Sequence, residues 1–227
     1  MMDGPPAQPS SRTEFRVVAQ GGTALEVMVI YAGILLYIWR WQYSYPHAWI
    51  LLWAAILVSH VVHRDTPRRL GLWGPEWRPS AQIILPLATA IFVPLVIYGL
   101  WARRIVPLVP SGRQWLSLGG YAAWCVVQQY LTQSYFHRRL MKIIHSPLVA
   151  SGLVALMFAA AHIPNPVLMA ATGIGGFIFA EVFRRHPNIW PLAFAQAVGG
   201  FLIAAITPAA LIHKMRVGPG YFFYGIR

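Results

Sequence analysis

Apolar residues along this chain fall into long blocks separated by short polar or Pro- and Gly-bearing connections, and each block is long enough to form a helix. The first runs from about Ala24 to Ile38 and ends in WRWQYSYPHAW, an aromatic belt with Pro46 at its turn. The second, about Ala48 to Val62, stops at Ser59-His60-Val61-Val62-His63-Arg64-Asp65. The connection TPRRLGLWGPEWRPS follows, and its prolines and glycines forbid a continuous helix. A third block, about Ala81 to Ala102, carries Pro86 and Pro94, which predict a kink. The fourth starts near Leu116 and passes through WCVVQQYLTQSYFHRRLM, residues 124–141. The fifth, about Leu148 to Ile163, ends at Pro164-Asn165-Pro166. The sixth, about Val167 to Phe183, has Ala171, Gly175 and Gly176, small residues that permit close helix approach. The seventh, about Trp190 to Ile212, includes Gly199, Gly200 and Pro208. The pattern predicts an all-α, polytopic transmembrane helical bundle of about seven spans. It divides the chain into a disordered tail over residues 1–23, a single transmembrane domain over 24–212 and a short basic tail over 213–227.

Composition agrees with the pattern. Hydrophobic residues make up 57% of the 227 positions, charged residues 11%, and mean hydropathy is +0.54, too apolar for a soluble domain of this size. The net charge of +12 sits between the apolar blocks, so the cations read as topology signals and contacts to anionic headgroups, not to nucleic acid. Counted on alternate sides of the blocks, eleven Lys and Arg fall with the N-terminus and seven opposite, which favours a cytoplasmic N-terminus in an inner or plasma membrane. Residues 1–23 lack the pattern of a cleavable signal peptide, and the single cysteine, Cys125, excludes a disulfide within the chain.

Polar residues inside the blocks are the candidates for chemistry. Gln129, Gln133 and His137 repeat every four residues and would line one helix face, with Gln128 beside them. Amides at bilayer depth need partners, and His137, Arg138 and Arg139 close the segment as a cationic collar. Of the six acids, Glu26 and Glu181 alone fall inside blocks, on different helices. Glu181 precedes Arg184 and Arg185 by one turn, as an intrahelical ion pair would. His60 and His63 lie on one face near Asp65, a spacing open to metal ligation but equally to histidines solvated at an interface; no metal site is assigned. His162 ends an apolar helix behind Ala159, Ala160 and Ala161, as a helix–helix hydrogen bond or a catalyst would.

The segment Gln128-Gln129-x-x-x-Gln133, then Phe158-x-x-x-His162, then Gln196-x-x-x-Gly200, resembles the E-E-x-x-x-R, F-x-x-x-H and H-x-x-x-N/D motifs of the CAAX-protease and bacteriocin-processing (CPBP, or Abi) family of intramembrane peptidases. That family includes the type II CAAX prenyl endopeptidases. Weaker echoes are Leu70-Gly71-Leu72 and the run from Gly176 through Arg185 to Ile189-Trp190-Pro191. The resemblance implies that Gln128 and Gln129 stand at the glutamate positions, Gln133 at the arginine, His162 at the second-motif histidine, Gln196 at the third-motif histidine and Gly200 at its Asn or Asp. Catalytic positions would thus be His162, Gln128 and Gln129, with Gln133, Phe158, Gln196 and Gly200 forming the substrate cavity. Phe158 and His162 alone keep the family residue. A carboxamide is no base near neutral pH, so the water-activating acid is missing, and general-base assistance is worth about 10²–10⁴-fold.

Three functions follow from these residues. A catalytically degenerate CPBP-like protein would bind a hydrophobic or lipidated peptide, or a membrane-protein partner, without cutting it. A working peptidase would use His162. A structural subunit of a membrane complex would use the glutamines as interhelical glue. All three place the chain against lipid, and none specifies a cofactor.

Overall fold

The computed structural model describes residues 11–105 and 112–223, and every secondary-structure element among them is helical. α1, Ser11–Leu36, runs on through a π-helical turn, Tyr37–Trp41, into a single turn, α2, Gln42–Ser44. A 3-10 turn, Pro46–Ala48, starts α3, Trp49–Val62, and after an irregular connection comes α4, Trp77–Trp101. α5, Gly112–Gln129, a π-helix, Tyr130–His137, and α6, Arg138–Ile143, form one uninterrupted rod. α7, Pro147–Ala160, α8, Pro166–Arg185, and α9, Trp190–Ile206, follow. α10, Ala209–Ile212, a 3-10 turn, His213–Met215, and α11, Pro219–Phe222, complete the described chain.

A helix stands at each place the apolar blocks predict. Gln20–Ser44, Trp77–Trp101 and Pro166–Arg185 are long and apolar enough to cross a membrane, whereas Pro46–Val62, Pro147–Ala160 and Trp190–Ile206 are apolar but shorter. Helix α4 contains both Pro86 and Pro94 and continues through them as one helix. Two boundaries are corrected. Helix α1 begins at Ser11, so residues 11–23 are helical where a disordered tail over residues 1–23 is expected; residues 1–10 lie outside the described residues. The last long helix ends at Ile206, because Thr207 is extended and Pro208 starts a separate turn, short of the Ile212 end expected from hydropathy alone.

Burial is inverted relative to a soluble protein. Val61 and Trp101 are 77% and 82% exposed on the outer surface, while Arg139 is 0% exposed inside. Lipid satisfies the first and would penalise exposure of the second. With lipid outside, helices associate through close packing and internal polar contacts rather than by excluding water. Helices α7 and α8 form the most extensive pair, and a Cβ at Gly176 would already lie 3.2 Å from the Phe158 ring. Two apolar clusters flank the π-helix, one around Ile56, Tyr135 and Val154, the other around Ile84, Ile189 and Leu192, with Tyr130 against both.

The expected cationic collar is largely interior. His137 and Arg139 are buried, and Arg139 holds together segments distant in sequence. Its guanidinium donates to Glu26 of α1 at 3.1 Å, to Ser59 of α3 at 2.8 Å and to Asp65 beyond α3 at 2.7 Å. Ser59 and Tyr135 also donate to Glu26, at 2.5 and 2.7 Å. His60 pairs with Asp65 at 2.9 Å and His63 with Glu26 at 2.8 Å, so both histidines serve this ion cluster. On the same side, Glu181 takes the ion pairs its spacing predicts, with Arg184 at 2.7 Å and Arg185 at 3.0 Å, and accepts from Ser151 at 2.7 Å. The connection after α3 is anchored there too: Ser134 donates to the Leu70 carbonyl at 2.5 Å, and Ile189 N–H to that of Gly71 at 3.0 Å. Gly71 has φ +72° and its Cβ would lie 2.6 Å from the Phe183 ring, so no other residue fits.

Removing one partner from a buried ion cluster leaves the others uncompensated, at about 3–5 kcal/mol. Arg139→Met is therefore expected to lower folding stability by about that amount, measured by thermal unfolding in detergent. Burial alone would raise the Asp65 carboxyl, but hydrogen bonds from His60 and Arg139 and the charges of Arg139 and Lys142 outweigh it and hold it at about 2, below the ordinary 3.8. Its contribution is thus complete above pH 3.8 and lost as pH falls through about 2, which an acid titration of stability, absent in Asp65→Asn, would register.

Candidate functional site

A cavity of about 1020 Å³ lies within the bundle, and Gln128, Phe158, His162, Gln196 and Gly200 all line it. Three elements bring them together: the junction of α5 with the π-helix, the end of α7 with the turn after it, and the middle of α9. The amides form a directed chain. Gln129 donates through Nε2 to Oε1 of Gln196 at 2.6 Å, and Gln196 donates through Nε2 to Oε1 of Gln128 at 2.5 Å. Gln129 is fully buried behind the wall, whereas Gln128 stands on the wall itself, with its NH₂ as the terminal donor of the chain.

His162 follows α7 in a tight turn. Its Nδ1 lies 2.8 Å from the Phe158 carbonyl, which can only accept, so Nδ1 carries the proton and Nε2 is the acceptor nitrogen. The Phe158 ring meets the imidazole edge to face at 5.1 Å and rests against Gly176. The turn is fixed from below by Asn165, whose side-chain oxygen caps α8 by accepting from Leu168 N–H at 3.2 Å while its Nδ2 donates to the carbonyls of Ile212 and Arg216.

Gln133 does not join the other glutamines. It is fully buried, absent from the cavity wall, and neither of its amide atoms has a partner among the described residues. The expected single stripe is split by the i→i+5 ladder of the π-helix and by its surroundings. Gln129 turns to α9, while His137 lies 3.2 Å from Ser151 of α7. Ser151, His137 and Glu181 form a buried polar group away from the cavity, and the one hydroxyl proton of Ser151 goes to Glu181.

At Gly200 a Cβ would collide with the Tyr121 hydroxyl and lie 2.7 Å from its Cζ. The phenol of α5 therefore fills the space in which any side chain at position 200 would start. Sequence spacing gave no sign of Tyr121. Asn165 was legible, since Asn followed by Pro at a helix start is a capping signature. Among the described residues on the cavity wall there is no carboxylate, and the single residue with a permanent charge is Lys214.

Residues 110–202 match a family model described as Type II CAAX prenyl endopeptidase Rce1-like, a stretch that contains all three motifs. This bears out the resemblance to the CPBP family over that stretch. No curated protein and no solved structure matches the chain. Together with the long apolar helices, the match supports an integral membrane protein that is similar to CAAX-protease-like proteins over residues 110–202.

Overpacking a filled interior site costs about 1–3 kcal/mol. Gly200→Ala should destabilise the protein by that much, and the same substitution made in a Tyr121→Ala background should cost little, as read from thermal unfolding of the two single variants and the double variant.

Proposed function

We propose that this CAAX-protease-like membrane protein binds a hydrophobic or lipidated peptide, or a segment of another membrane protein, in its cavity without cutting it. In this reading residues 24–212 form one domain of about seven spans with a cytoplasmic N-terminus, the shorter apolar helices crossing with help from their flanking turns. The observation that carries it is the amide chain from Gln129 through Gln196 to Gln128, in place of the family's two glutamates and third-motif histidine, on a cavity wall free of carboxylate among the described residues. Amides engaged with one another neither accept a proton from water near neutral pH nor polarise it strongly. They do satisfy one another inside the bundle at little insertion cost, which keeps a polar-floored apolar cavity open to an amphiphilic guest. Gln129, Gln128 and His162 thus act as binding and positioning groups.

One observation favours a second reading, an active peptidase. The Phe158 carbonyl fixes the proton on Nδ1 of His162, leaving Nε2 as an imidazole base on the cavity wall. Water held by the Gln128 amide would then be deprotonated at Nε2.

Liposomes carrying the protein and a prenylated peptide with a fluorophore and quencher on either side of its bonds separate the two. The expected result is saturable binding with cleavage at the protein-free rate. Turnover that disappears in His162→Ala would sink the binding reading. In Gln129→Glu, a gain within the general-base range of about 10²–10⁴-fold would mark a cavity that retains the rest of the protease geometry.

A further inference from the structure

A second recess, of about 610 Å³, lies on the outside of the bundle and shares no lining residue with the interior cavity. Trp77, Ala81 and Leu85 stand four apart on one face of α4 and form one side of it, while Trp190 and Phe194, one turn apart on α9, form the other. From Trp77 to Leu85 the helix advances about 12 Å, so the recess is a groove running along the surface where α4 packs on α9. Ala81 keeps it open between two large neighbours. The walls converge on the connection after α3, where Trp73 and Gly74 line the mouth. The Trp190 indole is fixed there, its Nε1–H donating to the Leu72 carbonyl at 2.9 Å, and Trp190 N–H donates to Oδ1 of Asn188 at 3.1 Å. Two guanidiniums stand at the mouth. Gly74 has φ +127°, and a Cβ there would lie 3.5 Å from Cγ of Arg68 and 3.9 Å from its Nε. The Cζ of Arg78 lies 5.6 Å from the centre of the Trp77 ring. Both arginines are exposed, and among the described residues neither pairs with a carboxylate. Glu76, beside Trp77 in sequence, is taken by His186 at 2.9 Å.

We infer that this groove holds an anionic glycerophospholipid of the phosphatidylglycerol kind, one acyl chain lying between α4 and α9 and the phosphate meeting Arg68 and Arg78. An apolar trough with tryptophans and cations at one end has the polarity of such a lipid, and tryptophan rings settle at headgroup level. Guanidinium forks match phosphate oxygens, and exposure at the mouth is what a headgroup site requires. A zwitterionic headgroup would bring its own ammonium beside two cations, so the site favours a headgroup with no cation. The occupant touches α4, α9 and the connection after α3 at once, and so ties them together from outside. This site goes beyond the cavity's role and holds whether the cavity binds its guest or cuts it.

Nanodiscs of equimolar phosphatidylglycerol and phosphatidylcholine with matched chains, followed by native mass spectrometry of the protein released into detergent, identify the lipid that stays bound. One phosphatidylglycerol per chain is expected, retained about tenfold or more over phosphatidylcholine, the scale of one charge-assisted hydrogen bond. Arg68→Ala with Arg78→Ala should bring the two lipids to parity. Arg40→Ala with Arg104→Ala, the same charge removed from the opposite end of the bundle, should leave the preference intact. Ala81→Trp, which fills the groove and keeps both arginines, should lose the bound lipid, with gel filtration confirming that each variant is folded; if Ala81→Trp does not fold, the two arginine pairs decide. Equal retention of the two lipids by the unaltered protein overturns the inference, as does a preference that survives loss of Arg68 and Arg78 or falls equally with Arg40 and Arg104. Lipid kept by folded Ala81→Trp also overturns it. Displacement of the lipid by glycerol phosphate would mark an anion site that needs no chain, and release as a lipid-free dimer would give the groove to a second copy; either result sinks the lipid assignment.

Discussion

A guanidinium with no access to solvent sets the terms for this structure. Buried in a bundle that faces lipid, Arg139 has to be met by charge, and its partners come from α1 and from both α3 and the connection after it. Satisfying it therefore fixes where three segments meet α6. The rod that contains α6 is continuous back to α5, so this cluster also sets the height and rotation at which Gln128 and Gln129 meet α9. The π-helix lies between the two, with Thr132 through His137 all buried. Its wider ladder lets one rod present Gln129 to α9 and His137 to α7.

The bundle is polarised along its axis. Glu26 of the ion cluster and Ile38 beside the strap of residues 212–218 are twelve residues apart, about 18 Å along a helix. The Glu26 end is held by ion pairs, the Ile38 end by backbone and amide hydrogen bonds around Asn165. Between them the cavity is apolar with a floor of mutually bonded amides. Such a division suits a receptor for greasy molecules: strong long-range restraints at one end keep the helices in register while the other end presents a surface with few obligations to satisfy.

The sequence made the helical blocks legible because lipid demands unbroken apolar runs, and those runs register directly in hydropathy. It also made the convergence of Gln128, Phe158, His162, Gln196 and Gly200 legible through motif spacing. What it could not reveal were relations carried by distant partners. His137-Arg138-Arg139 at the end of an apolar block has the composition of a solvated collar, and the two acids that draw Arg139 inward, Glu26 and Asp65, lie far from it in sequence. On a uniform α-helix Gln133 would share the face of Gln129, and the π-helix removes that equivalence. The start of α1 at Ser11 was hidden by the polar composition of its first turns, where hydropathy gives no signal.

The contact between Gly200 and Tyr121 also constrains the order in which this cavity could change. Position 200 is free to vary in isolation at the level of the gene, yet any residue larger than glycine there meets a phenol on another helix. The two positions are therefore coupled. A path toward an asparagine at position 200 has to displace the Tyr121 ring or replace it with a smaller residue, and either change reshapes the cavity wall that Tyr121 lines.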